Sequence, residues 1–162
     1  MYSIESDRYL YHVPVHLSGG IAVPITLTVP EGVFDADAQA KVFAELTDAL
    51  LNIEGLQDNA FMTPNVVGTL NVLPRNRIFS GGVAAPVAFV ELKLPAVALA
   101  TPEAKRRFVE QATDIVTRAS AGELVRERVW ANVVYAEDGA WGIGGRAYDN
   151  VALGDAIRAA AR

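Results

Sequence analysis

The sequence contains no cysteine, and it has only two histidines, His12 and His16. The absence of cysteine excludes disulfide bonds, a thiolate nucleophile and cysteine-ligated metals, and it suits a cytoplasmic protein. Pro14 lies between the two histidines and disfavours a helix there. On a strand the histidines would be about 13 Å apart, at roughly 3.3 Å per residue, which is too far to share one ion. The sequence therefore predicts no metal site.

Long runs of one kind of residue are also missing. Lys and Arg number 14 against 19 Asp and Glu, and the net charge of −5 without a basic cluster disfavours nucleic acid as a partner. No apolar stretch reaches the roughly 18 residues of a membrane span, and Glu5, Asp7 and Arg8 interrupt the pattern of a secretion signal. Hydrophobic residues nonetheless make up 51% of the chain, enough for a sizeable core. We expect a folded cytoplasmic protein that has no membrane segment.

What is present is a strand–helix–strand plan that occurs twice. In the first copy, Asp35 is a candidate N-cap and Gly55 a candidate helix stop. In the second copy, Thr101 followed by Pro102 is a strong helix start, and Gly122 is the expected helix end. The first unit (21–83) is predicted to contain a strand over 21–29, a helix over 36–52 and a strand over 65–73. The second unit (86–148) is predicted to contain a strand over 87–94, a helix from 102 and a strand over 128–136.

The two copies have nearly the same spacing. Gly81-Gly82 recurs 63 residues later as Gly144-Gly145, and the same spacing places Pro86 opposite Val23. Because neither βαβ unit buries both faces of its sheet alone, we expect one α+β domain over 1–162, in which two consecutive βαβ units form a four-stranded mixed sheet backed by two helices. Residues 1–20 are predicted to be an extension with a hairpin strand, and residues 149–162 a helix or tail.

Two motifs carry a resemblance to a known family. Residues 23–32 read V-P-I-T-L-T-V-P-E-G, and residues 141–145 read W-G-I-G-G. With the duplicated plan, they resemble the tautomerase superfamily over about residues 21–148, specifically the fused, double-length relatives of 4-oxalocrotonate tautomerase. The resemblance implies a tautomerase/MIF-like fold, a homotrimer, no cofactor, and keto–enol tautomerisation of small carboxylic acids.

The chain departs from this family at the residue that does the chemistry. The family uses an amino-terminal proline, whose secondary amine in an apolar pocket is a neutral base near pH 7. Aligned on the Pro-Glu-Gly turn, that position is Val23, and Pro24 comes one residue late. The nitrogens of Pro24 and Pro86 are amides within the chain, and an amide lone pair is delocalised into the carbonyl, so neither is a base. The expectation is a tautomerase-like protein that is weak or inactive as a tautomerase.

Two alternatives leave activity open. The first is another base, such as Glu31, Asp35 or Asp138, with its pKa raised by burial. The second is translation from Val23, which after removal of the initiator Met would expose Pro24 as an amino terminus.

The family's charged partners are mostly absent. The arginine expected after the Glu-Gly turn is replaced by Val33 in unit one and by Val97 in unit two. Arg75 and Arg77 near a turn, or Arg146 after the glycines, are candidates to hold a small carboxylate, although solvated turn residues are the more common interpretation. The two tryptophans are expected mainly to pack. The candidate pocket therefore comprises Val23, Pro24, Pro86, Arg75, Arg77, Arg128, Trp130, Trp141 and Arg146.

Overall fold

The computed structural model describes residues 23–161, so the hairpin strand and the histidine pair predicted within residues 1–20 lie outside the described residues. This part of the chain forms three α-helices and eight strands. They are β1 (Val23–Pro30), α1 (Ala36–Glu54), β2 (Val66–Leu73), β3 (Phe79–Ser80), β4 (Val83–Ala84), β5 (Ala88–Pro95), α2 (Pro102–Ala119), β6 (Val129–Ala136), β7 (Trp141–Ile143), β8 (Arg146–Tyr148) and α3 (Asn150–Ala159).

The main sheet has four strands in the order β2-β1-β5-β6. The outer pairs β1–β2 and β5–β6 are parallel, as helical crossovers require, and the central pair β1–β5 is antiparallel. This arrangement confirms the predicted α+β fold with a mixed four-stranded sheet.

The core lies between this sheet and helices α1 and α2. Burial alternates along β1 and β5, because successive side chains of a strand point to opposite faces. The buried faces of the two central strands meet apolar side chains of both helices, which removes them from water. The fully buried large residues include Phe108, Ile25, Leu27, Leu46, Leu92, Leu94 and Leu99.

The helix caps follow local signals. Asp35 accepts a hydrogen bond from the Ala38 amide at 2.7 Å, and Thr101 accepts one from the Ala104 amide at 3.0 Å. Gly55 ends α1 in the left-handed conformation at φ 66°, as glycine permits. The expected end of α2 at Gly122 was wrong: the helix ends at Ala119, and Ser120 is its C-cap.

The hydrogen-bond register shows that the two halves are not repeated at one spacing. Val23 pairs with Val66 in the first half, whereas Ala88 pairs with Val129 in the second. The returning strands are 63 residues apart, from Val66 to Val129, but the leading strands are 65 apart, from Val23 to Ala88. Ala88, rather than Pro86, is therefore equivalent to Val23, and the segment from the start of the leading strand to the start of the returning strand is two residues longer in the first half than in the second.

Both glycine pairs form the turns of small hairpins. Gly81 and Gly82 join β3 to β4 with φ of 59° and 82°, and Gly144 and Gly145 join β7 to β8 with φ of 57° and 80°. Two successive positive φ angles are what a type I′ hairpin turn needs, which explains glycine at each position. No helix within residues 23–161 combines the length and the apolar character needed to cross a bilayer.

Candidate functional site

A small apolar cavity lies beside the first residue of β1. Because β1 and β5 are antiparallel, the start of β1 meets the end of β5 and the loop that follows it. The cavity has a volume of about 100 Å³, below the roughly 300 Å³ or more of a drug-sized site, so it suits a ligand of a few heavy atoms. Its lining residues are Val23, Leu50, Leu51, Glu54, Leu56, Met62, Leu94, Pro95, Val97, Ala98, Leu153, Gly154 and Ile157.

Helix α3 forms one wall of this cavity through Leu153, Gly154 and Ile157. The side-chain amide of buried Asn59 donates a hydrogen bond to the carbonyl oxygen of Ile157 at 3.3 Å, which ties the end of α3 to the loop after α1. The Asn59 side-chain oxygen also accepts the amide of Met62 at 2.9 Å. One buried amide side chain therefore fixes two walls of the cavity relative to each other.

Within the described part of the chain, Glu54 is the one ionisable residue that lines the cavity. Its Oε1 accepts a hydrogen bond from the backbone amide of Leu99 at 2.9 Å. Burial raises the pKa of the Glu54 carboxyl above its ordinary value, and the hydrogen bond from the Leu99 amide lowers it in part. An apolar cavity with a half-buried carboxyl group of raised pKa is a typical setting for proton transfer.

The loop after β5, whose Leu99 amide binds Glu54, is itself held by a second side chain. Leu99 is fully buried and has a φ of 43°, a conformation that costs a residue with a Cβ about 1 kcal/mol or more. The Tyr135 hydroxyl donates to the carbonyl oxygen of Leu99 at 3.2 Å, so both backbone groups of Leu99 are bonded to side chains. Burial, and to a lesser extent the negative charge of Glu54, raise the pKa of Tyr135.

The sequence did not single out Glu54, although one local signal was present. Glu54 is the last residue of α1, next to the Gly55 cap. A carboxylate at a helix C-terminus faces the negative end of the helix dipole, so its presence there calls for a specific partner. That partner, the Leu99 amide, is 45 residues away in the chain.

Of the predicted site residues, only Val23 lines this cavity. Pro24 is the second residue of β1 and pairs with Val67, and it is half-buried on the sheet face opposite to the buried Val23. Val97 was predicted to occupy the place of an arginine, but the observed register, in which Pro30 is equivalent to Pro95, makes Ala98 the counterpart of Val33; Val97 and Ala98 both line the cavity. The cavity is therefore apolar both at Val23 and at Val97 and Ala98.

Pro86 and Arg75 lie together at the opposite end of the sheet. Seven steps along β1 separate the two ends by about 23 Å. The two residues line an open depression of about 270 Å³ with Asn76, Ala84 and Ala85. Arg75 is already paired with Glu123 at 3.0 Å, with about half of each side chain exposed. Arg77 is exposed in the same short turn.

The remaining predicted residues are dispersed. Arg128 is half-buried in the turn before β6, and Trp130 is 58% exposed on β6. Trp141 is buried in the core, and its Nε1 has no hydrogen-bond partner among residues 23–161. The guanidinium of Arg146 stacks on the Tyr148 ring at 4.7 Å. Trp141 thus packs as expected, whereas Trp130 presents its ring to solvent in the single chain.

The three alternative bases are not in the cavity. Glu31 and Asp35 are exposed after the far end of β1. Asp138 is also exposed, and it accepts the Asn150 amide at 2.6 Å as part of the approach to α3. Residues 23–161 hold no group of three or more metal-ligating side chains.

Comparison with solved structures places this architecture. A native fused 4-oxalocrotonate tautomerase (4-OT) matches 81% of this chain and 98% of its own, with a TM-score of 0.63 and 22% identity. N1, a member of the cis-3-chloroacrylic acid dehalogenase family, matches 86% of this chain and 92% of its own, with a TM-score of 0.69 and 20% identity. The chain has the tautomerase-superfamily fold. A symmetric trimer of another fused 4-OT has a TM-score of 0.67 at 17% identity, matching 81% of this chain and 98% of its own.

No family model and no curated protein matches the chain. The solved structures, by contrast, confirm the resemblance seen in the sequence at the level of the tautomerase fold.

Proposed function

We propose that this tautomerase-fold protein binds a small, largely apolar molecule in the cavity beside Val23, and that the intact chain is weak or inactive as a keto–enol tautomerase of small carboxylic acids. The observation that carries the proposal is the position of Pro24. Its nitrogen is part of the peptide link to Val23 inside strand β1. An amide nitrogen in that position has no proton affinity to offer a substrate.

The lining of the cavity supports the same conclusion. A carboxylic acid substrate needs a cation or several donors to replace its water of hydration. Val97 and Ala98, at or next to the place where the family's pattern has an arginine, are both apolar, and the one charged residue of the lining within residues 23–161, Glu54, would repel an anion. The substrates of the family are thus disfavoured on both counts.

We further propose that the protein is a cytoplasmic homotrimer, with neither nucleic acid nor a cofactor as a partner. The sheet face opposite the helices exposes Val67 by 43%, Trp130 by 58% and Val134 by 46%. Two of these lie on the edge strand β6 and one on the edge strand β2, where a neighbouring sheet would adjoin. Three of the structurally similar fused 4-OT proteins are trimers.

Assembly is tested by the variant Trp130→Glu. We expect sedimentation to find a trimer for the unchanged protein and a smaller species for the variant, because a charge in an apolar interface is unfavourable. Val151→Glu, at a 71% exposed position on α3, is the control and should leave the trimer intact. A Trp130→Glu variant that sediments as a trimer would contradict the proposed contact face.

Activity is tested with phenylenolpyruvate, whose ketonisation is followed by absorbance. We expect the full chain and its Pro24→Ala variant to ketonise it equally, with little acceleration over buffer. Rapid turnover by the full chain that is lost in Pro24→Ala would refute the proposal, because it would require the internal proline to take part.

One observation favours keeping the downstream start as a second candidate. The cavity is lined by the residue immediately before Pro24. A chain that begins at Pro24 would therefore place a secondary amine at the edge of an apolar cavity, where its neutral form is favoured. Ketonisation by this shortened chain, absent from the full chain, would support that candidate, and amino-terminal sequencing of protein from its native host would decide it.

A further inference from the structure

We propose that Glu54 is a proton-transfer residue for a neutral, enolisable carbonyl compound bound in the Val23 cavity. This inference rests on the proposed role of the cavity as a ligand site, and it adds the reacting group and the substrate class.

The charge of the cavity selects the substrate class. Among the lining residues that the structure describes, Glu54 alone is ionisable, and the others are apolar or glycine. When Glu54 is ionised, an anionic ligand would be held close to a second negative charge, and no cation of the lining within residues 23–161 offsets it. A neutral carbonyl compound of a few heavy atoms meets no such repulsion, and its hydrocarbon part contacts the apolar walls.

The position of Glu54 leaves one oxygen for a ligand. The Leu99 amide donates to Oε1, and no residue within 23–161 forms a hydrogen bond with Oε2. The other titratable group near it is Tyr135 of β6, whose hydroxyl is engaged by the Leu99 carbonyl. Lys105 of α2 lies over the Tyr135 ring, 5.0 Å from its centroid. Glu54 is thus oriented by a backbone group that β6 also anchors, as a proton carrier must be.

The reaction balances with the single carboxyl group. In the ketone-to-enol direction the carboxylate removes a proton from the carbon next to the carbonyl, and the electron pair of that C–H bond forms the C=C bond while the carbonyl π electrons move to oxygen. Protonated Glu54 then gives the same proton to the enolate oxygen, which restores the carboxylate. A raised pKa keeps the protonated form accessible for the second step.

Binding is measured first, through Met62. The chain has two methionines, Met1 and Met62, and Met62 lines the cavity. In protein with ¹³C-labelled methionine methyl groups, addition of acetylacetone should shift the Met62 signal, which Met62→Leu identifies by its loss. Acetoacetate has the same number of heavy atoms but carries a carboxylate, and it should shift the signal much less at equal concentration. No shift with acetylacetone would overturn the ligand role of the cavity, and this inference with it.

Catalysis is measured separately as exchange of the central CH₂ protons of acetylacetone for deuterium in D₂O. We expect the full chain to accelerate exchange over buffer, and Glu54→Gln to lose about 100-fold of that acceleration. Glutamine retains an oxygen that can accept the Leu99 amide, so the loop is preserved while the proton is not. Asp48→Asn is the matched control, since Asp48 is an exposed carboxylate on the same helix outside the cavity.

The outcomes separate the two claims. Exchange that follows the ionisation of a carboxyl group with pH, and is lost only in Glu54→Gln, supports the proposal. A Met62 shift with equal exchange in Glu54→Gln and the unchanged protein overturns the role of Glu54 while leaving ligand binding intact. Equal exchange of acetoacetate and acetylacetone, each relative to its own rate in buffer, would overturn the substrate class.

Discussion

Replacement of Gly68 by alanine is a direct test of how α1 packs on the sheet. A Cβ built at Gly68 would lie 2.3 Å from Cδ1 and 2.5 Å from Cε1 of Phe43. Carbon atoms in contact are normally about 3.5–4.0 Å apart, so the ring must move by more than 1 Å. Phe43 is only half-buried and can turn outward, at the cost of its contact with the sheet. We expect Gly68→Ala to lower the free energy of unfolding by about 1–3 kcal/mol.

The second half of the chain shows how the clash can be relieved. The equivalent positions are Ala131, 63 residues after Gly68, and Val109, 66 residues after Phe43, so a larger strand residue accompanies a smaller helix residue. Phe43→Val should therefore recover much of the loss caused by Gly68→Ala.

Urea denaturation of both single variants and the double variant measures this coupling. The coupling should be stabilising: the double variant should be more stable than the sum of the two single changes predicts. Gly142→Ala is the control, because a Cβ at Gly142 meets no atom within 4 Å. A Gly68→Ala variant that is as stable as Gly142→Ala, or strict additivity in the cycle, would refute the packing argument.

Further predictions concern Glu54, Ala121 and Thr101. Because burial raises the pKa of Glu54, the folded state binds more protons than the unfolded state between the ordinary carboxyl pKa and the raised one. Stability should thus fall as pH rises through that window, and Glu54→Gln should abolish this part of the decline in a urea midpoint series. Ala121→Gly should stabilise by about 1 kcal/mol, since exposed Ala121 has φ of 49°, and thermal unfolding would reveal it. Thr101→Ala removes an N-cap and should cost about 1 kcal/mol by the same measurement.

The sequence predicted those features that depend on near neighbours. The caps at Asp35 and Thr101 act over three residues, and the alternation in β1 and β5 reflects one buried face. Two βαβ units, each with two strands to contribute, then leave few ways to combine, so the mixed four-stranded sheet could be predicted as well.

The candidate site could not be predicted in the same way. Glu54 owes its environment to Leu99, Tyr135 and α3, which approach it from three separate parts of the chain. The spacing of the glycine pairs also concealed the two-residue difference between the leading strands. Each glycine pair follows a returning strand, and the returning strands are 63 residues apart, as the glycine pairs are, whereas the leading strands are 65 apart.

Helix α3 follows only the second unit, and its consequence is a chain whose duplicated halves have unequal ends. Helix α3 closes one side of the apolar cavity at Val23, whereas the depression at Pro86 is open and is lined by Arg75, which pairs with Glu123. A ligand that saturates the cavity would leave the depression free. A threefold assembly of such chains would therefore offer two chemically distinct sets of three sites rather than six copies of one site.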